Sequence, residues 1–346
     1  MRRPHVLHCA VLAVLLTWAG AAFAVQPAAS YPNTEGFGID FEKSEDWYRH
    51  CMRALRAAPP ALSPPPGKLR CDATELYYLK RDQDSTSSAE WRQVHDCAEA
   101  TSDDAVLMML YANGYGVARD LERAVYHACK LDSAKAEMEI RVGYLASAAA
   151  ASDGQPFDLC DHITSGRMGG ICAAISQGRA ERVRAALLDR FAAGLPLGAR
   201  QAFARLRAAA AAFTRKSAGE VDMTGTGGPG FTFRHSGRRA EEFLDTLQKA
   251  AGGKLPAASP AQFAQLDREL NDVYRKLLDT PSEQDTHPER IRGSTVTRAD
   301  VRGAERAWLA YRDAWEAFIT AAGLPTDATS IKAALTRQRI AQLKRI

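Results

Sequence analysis

The sequence predicts an all-α protein, with N-terminal disulfide-stapled helical hairpins followed by two tandem three-helix copies. Apolar residues recur at helical spacing between explicit start and stop signals. The cysteines end at Cys172, and beyond them two fifteen-residue segments align without a gap.

The chain opens on a targeting pattern. Arg2 and Arg3 precede an apolar run over residues 11–22, and Ala22, Phe23 and Ala24 form a small-any-small cleavage site. Residues 1–24 are therefore read as a signal peptide, and the mature protein as periplasmic or secreted. The run is shorter than the roughly 20 residues a helix needs to cross a bilayer, and no later run exceeds it, so no stable membrane span is expected. Cys9 precedes the apolar core, whereas a lipidated cysteine would follow it at the cleavage point, so no lipid anchor is expected.

Export decides how the other cysteines are read. Cys51, Cys71, Cys97, Cys129, Cys160 and Cys172 are even in number, which in an oxidising compartment favours disulfides over free thiols. Spacing does not fix the connectivity. Sequential pairing is the preferred expectation, because Cys160 and Cys172 flank a glycine-containing loop over residues 163–170. No CxxC is present, so the redox and zinc-ribbon signatures are missing. Cys160, Asp161 and His162 with Cys172 read as a structural disulfide rather than a metal site.

Charge divides the chain in two. Residues 25–161 carry 14 basic and 22 acidic side chains, whereas residues 162–346 carry 29 and 19. The two halves can dock on each other or be ordinary solvated surfaces. Alternatively, an acidic face serves a basic partner, or a basic face an anionic envelope polymer. The export signal argues against nucleic acid as a partner.

Residues 25–172 are read as the cysteine-containing domain. Ser44 is placed to cap a helix with Tyr48, Cys51 and Leu55 on one side, ended by Pro59. The prolines within residues 59–66 predict an extended spacer, because consecutive prolines cannot donate backbone hydrogen bonds. Ser87 with Glu90 forms a capping box for a helix whose Trp91, Val94 and Ala98 share a face. Residues 110–124, LYANGYGVARDLERA, have the layout of a helical hairpin. Gly114 and Gly116 allow a sharp turn, Val117 plugs the gap between helices, and Asp120 caps the second helix. Asp103 and Asp104 precede an apolar stretch and are read as an exposed acidic pair that could steer a basic partner, or else as helix-dipole stabilisers.

The hairpin segment resembles the short tetratricopeptide-like repeat of the Sel type at Tyr111, Gly114, Gly116, Val117, Asp120 and Ala124. The resemblance covers one repeat, whereas a solenoid usually stacks at least about three. It implies either a protein-binding surface or a packing unit stapled by Cys97 and Cys129 or their neighbours.

The second half carries an internal duplication. ARQAFARLRAAAAAF (residues 199–213) aligns with AERAWLAYRDAWEAF (residues 304–318), with Arg207 on Arg312, Phe213 on Phe318, and Phe203 and Leu206 opposite Trp308 and Tyr311. Residues 173–255 are read as a degenerate first copy, with helices near residues 180–191, 199–216 and 238–250. Residues 256–346 are the second. There Ser259, Pro260 and Gln262 start a helix carrying Leu266, Leu270, Val273 and Leu277. Thr297 and Asp300 box the start of the central helix, with Val296 and Val301 as its hydrophobic staple. Trp308, Tyr311, Trp315 and Phe318 form its aromatic face, and Gly323 and Pro325 stop it. A third helix near residues 329–344 carries Ile331, Leu335 and Leu343.

LDRELNDVYRKLL (residues 266–278), AERAWLAYRDA (residues 304–314) and LTRQRIAQL (residues 335–343) together resemble the LprI-type lysozyme-inhibitor domain, a helical module of exported bacterial proteins. FDLCDHITSG (residues 157–166) and the Arg- and Ala-rich helices after it are similar to what precedes that module in longer members. Asn271, Tyr274, Arg306, Trp308, Tyr311, Arg312 and Asp313 carry the resemblance, and the same residue types also suit a packed core with half-buried polar pairing. Family members often have one cysteine shortly after RDA and another before the last helix. Glu316 and residues 331–335 contain neither, so the loops that such a bridge would hold are not tied here.

No GxSxG, HExxH or GxxxxGK[ST] occurs, so no enzyme is expected. TGTGGPG (residues 224–230) lacks the Lys and Ser or Thr of a phosphate loop and reads as a flexible loop. The histidines are scattered, adjacent Glu241 and Glu242 diverge on a helix, and neither metal nor cofactor is expected. The resemblance implies binding to lysozyme or another muralytic enzyme and occlusion of its cleft. The alternative is a periplasmic interaction or scaffold protein whose partner is another envelope protein.

Overall fold

The computed structural model describes residues 30–58, 70–147, 154–284 and 286–346. The expected signal peptide, the proline-rich spacer and Cys9 lie outside them. Among the described residues there are twelve α-helices and no β-strand, only two isolated bridges. No helix among them is long and apolar enough to cross a membrane.

Six helices build the first half: α1 (Asp46–Ala57), α2 (Ala73–Arg81), α3 (Ser88–Thr101), α4 (Asp104–Asn113), α5 (Leu121–Ala128) and α6 (Lys135–Leu145). In α4 every residue from Val106 to Ala112 is buried, so this helix is apolar all round and forms the centre of the first core. The α4–α5 hairpin turns through Gly114, whose φ of 71° is left-handed, and Asp120 accepts the Arg123 N–H as cap. Gly116 is also left-handed, and a Cβ there would lie 2.7 Å from the Trp91 backbone. The Ser87–Glu90 capping box forms as expected on α3, and its Trp91, Val94 and Ala98 are buried. α1 departs from expectation. It starts one residue after Glu45 rather than at a Ser44 cap, and it buries Trp47, Cys51 and Ala54 while Leu55 stays exposed.

The disulfides join Cys51 to Cys129, Cys71 to Cys97 and Cys160 to Cys172. Sequential pairing therefore holds only for the last. α1 packs against α5 and α6 while α2 packs against α3, so the pairs that sequential bridging would join, Cys51 with Cys71 and Cys97 with Cys129, sit on different helix pairs. Cys160 and Cys172 do not simply flank a loop, because the helix carrying Cys172 already starts at Gly166.

The second half comprises α7 (Gly166–Ala193), α8 (Leu197–Ser217), α9 (Gly228–Ala251), α10 (Pro260–Asp279), α11 (Arg298–Ala322) and α12 (Ala328–Leu343). Gly228 to Gly230, expected in a flexible loop, form the first turn of α9, where Pro229 suits the helix start. The Ser259–Gln262 and Thr297–Asp300 capping boxes both form. The two segments that align in sequence, on α8 and α11, lie against each other. Phe203 meets Phe318 at 5.2 Å and Phe213 meets Tyr311 at 5.8 Å, which sets the helices antiparallel. α7 packs mainly on α9 and α10 mainly on α12.

Residue 173, where the sequence pattern changes, lies inside α7. The first turns of that helix enter the first core through Met168, Cys172 and Ile175, and its end enters the second core through Leu188 and Phe191.

Candidate functional site

α10 turns Leu270 and Leu277 inward, and α11 buries Trp308, Tyr311, Trp315 and Phe318. Although consecutive, these helices have their main partners elsewhere, α12 and α8 respectively. Between them remains an open cleft of about 280 Å3. Its walls are Asp267, Leu270, Asn271 and Tyr274 from α10, and Arg302, Glu305, Arg306, Leu309 and Arg312 from α11.

Of the seven residues that carry the family resemblance, the structure brings Asn271, Tyr274, Arg306 and Arg312 to this cleft. Trp308 and Tyr311 belong to the core beneath it, while Asp313 is exposed outside it. Asn271 donates from Nδ2 to the Asp267 carbonyl at 2.8 Å, which pins the side chain one turn back along α10. Arg312 is anchored twice, with its guanidinium 5.1 Å from the Trp308 ring centroid and 3.6 Å from the Asp267 carboxylate. Arg302 and Arg306, on the same wall as Arg312, are exposed. The Tyr274 hydroxyl is held protonated to higher pH than usual, first by burial and then by the negative charge of Glu305.

Glu305 connects the cleft to the interior. Its Oε2 accepts Arg339 Nε at 2.8 Å, and Arg339 donates its other two nitrogens to Glu220 at 2.6 and 2.9 Å. Arg339 is fully buried and stacks over Phe213 at 5.5 Å. The Glu305 carboxyl is pushed above its ordinary value by burial, which the Arg339 charge opposes. Glu220 closes the turn after α8, Glu305 lies on α11 and Arg339 on α12, so this triad clamps together three elements behind the cleft. Sequence reasoning missed all three, although Glu305 and Arg339 lie inside segments that carry the resemblance.

Asp103 and Asp104 are elsewhere and are not a freely exposed pair. Asp103 caps α4 by accepting the Val106 N–H, and its other oxygen receives the Thr74 hydroxyl. Asp104 is held by His127 Nδ1 at 2.8 Å and Lys130 Nζ at 2.6 Å. The pair therefore serves the helix start and the α4–α5 contact. Among the described residues no group of three or more His, Cys, Asp or Glu could hold a metal ion.

Residues 248–343, from the end of α9 through α12, match the family model described as lysozyme inhibitor LprI. No curated protein and no solved structure matches the chain.

Proposed function

We propose that this chain is an exported envelope protein that binds lysozyme or a related muralytic enzyme and occludes its substrate cleft, with the α10–α11 cleft as the contact surface. The observation that carries this reading is the convergence of Asn271, Tyr274, Arg306 and Arg312 on one open surface inside the matched segment. Glycosidases of this kind cleave between two carboxyl groups in an acidic groove. Exposed Arg302 and Arg306, beside Arg312, supply cations for such a groove, and Asn271 and Tyr274 supply hydrogen-bonding groups. The buried triad keeps that wall preorganised, which lowers the cost of ordering on binding. The disulfides are consistent with an oxidising compartment.

The test is a peptidoglycan-lysis titration with a c-type lysozyme. The full chain protects the substrate at micromolar concentration, and Arg302→Ala with Arg306→Ala removes most of that protection without changing the melting temperature. Absence of protection by the parent chain sinks this reading. The alternative, an envelope interaction protein without inhibitory activity, then becomes the better account. In that reading the α4–α5 hairpin, with its Sel-type resemblance, is the binding element.

A further inference from the structure

A second cleft, of about 310 Å3, opens on another part of the molecule. Its walls are the turn after α8, the N-terminal half of α9 and the residues that follow α12. Four arginines line it: Arg234, Arg238, Arg239 and Arg345. Arg234, Arg238 and Arg345 are exposed, and none of them forms an ion pair among the described residues. Arg234 instead lies over the ring of Phe231, at 5.0 Å from its centroid. The fourth is unusual. Arg239 is only 5% exposed, yet its Nε and Nη1 have no hydrogen-bond partner. Nη1 lies 3.0 Å from a Glu242 oxygen, so the charge is opposed although the N–H direction is not met. Both nitrogens are shielded from solvent, so what Arg239 brings to the cleft is charge rather than these donors.

Two acidic side chains also line the cleft, of which only Glu220 is neutralised by a cation. Glu220 is taken by Arg339, and Asp222 Oδ1 accepts from Thr224 and Thr295. His235 is also in the wall, in contact with Ser217 Oγ at 3.2 Å. Burial first, and then the positive charges of Arg239, Arg238 and Arg339, depress its imidazole to about 4, so the charges sensed there are positive.

We infer that this cleft binds a phosphate group. Several guanidinium forks around one concavity suit a tetrahedral oxyanion with three acceptor oxygens and nearly two charges better than they suit a planar carboxylate. Phe231, 49% exposed at the edge, offers an apolar shelf for whatever bears the phosphate. The carrier is a soluble phosphorylated molecule or the phosphorylated headgroup of a lipid. This site is separate from the α10–α11 cleft and does not depend on lysozyme binding.

The experiment follows the His235 ring resonances by NMR in the full chain during titration with inorganic phosphate at about 0.15 M salt. A parallel measurement uses phosphatidylcholine vesicles with and without phosphatidic acid. Saturable movement of the His235 signals with a rise in its pKa supports the site. Arg238→Ala with Arg345→Ala should weaken binding roughly tenfold or more while leaving the melting temperature unchanged. Binding to free phosphate but not to the acidic vesicles identifies a soluble carrier; binding to the vesicles identifies a lipid one. Absence of saturation with both probes, or affinity unchanged in the double variant, overturns the inference.

Discussion

Burying a guanidinium costs several kcal/mol unless its charge is opposed and its donors are met. Arg339 meets both conditions through Glu220 and Glu305, so removing it leaves two carboxylates facing each other in the interior. Arg339→Met should cost about 3 to 5 kcal/mol, read as a fall in the urea midpoint. Trp308 is buried under the α10–α11 cleft, and Trp308→Ala should cost about 3 to 5 kcal/mol by opening a cavity. An unchanged melting curve would place the indole on a contact surface instead. His235 gives a pH dependence with a definite sign. Its folded value of about 4 lies below the ordinary 6.5, so the unfolded chain binds the extra proton between these limits. Its contribution to stability is present in full above 6.5 and is lost as pH falls toward about 4. His235→Gln should flatten that part of the stability profile, and an unchanged slope would show that the imidazole titrates normally. Residues such as Asn271 and Arg306 were legible because they stand in a recognisable motif. Glu220 was not, because its partner is 119 residues away and nothing local marks a carboxylate that will be buried by an arginine.

Helices with explicit ends were the elements most legible in sequence. The boxes at Ser87, Ser259 and Thr297 pair a side-chain acceptor with a carboxylate or amide three residues on, and each forms where expected. α6 was not read from the sequence. It has no capping side chain at Ala134, and its buried face includes Glu137 and Arg141, which interrupt the apolar pattern. Glu137 is there for a reason distant in sequence, since it accepts the backbone N–H groups of Thr164 and Ser165 and so fixes the entry to α7. Disulfide pairing was equally non-local. The Cys51–Cys129 bridge closes 78 residues and the Cys160–Cys172 bridge only 12. Loop-closure entropy then assigns about 4 to 5 kcal/mol to the first and about 3 kcal/mol to the second. Replacing both cysteines of the long bridge by serine should lower the first half's melting temperature more than the same change at the short bridge. Equal losses would mean that strain or residual structure, rather than loop length, sets the cost.

The opposite charges of the two halves meet in part at their junction. Arg179 pairs with Asp82, and Arg182 with both Asp82 and Glu75, so basic α7 is docked on carboxylates in and just after α2. Arg167 and Asp132 make a further pair across the same divide. α7 also belongs to both cores, and only its first turns are held by a disulfide. Reduction should therefore act unevenly along a single helix. The first half loses the constraint of all three bridges, while the second core, which contains no cysteine, keeps its packing. Hydrogen exchange under reducing conditions should show residues 166–176 losing protection while residues 184–193 retain it, with the change falling near the Arg179 and Arg182 pairs. High salt should move that point toward the C-terminus, because those exposed ion pairs are screened. If protection is instead lost uniformly along α7, the helix couples the two cores into one cooperative unit, and the second half does not stand without the first.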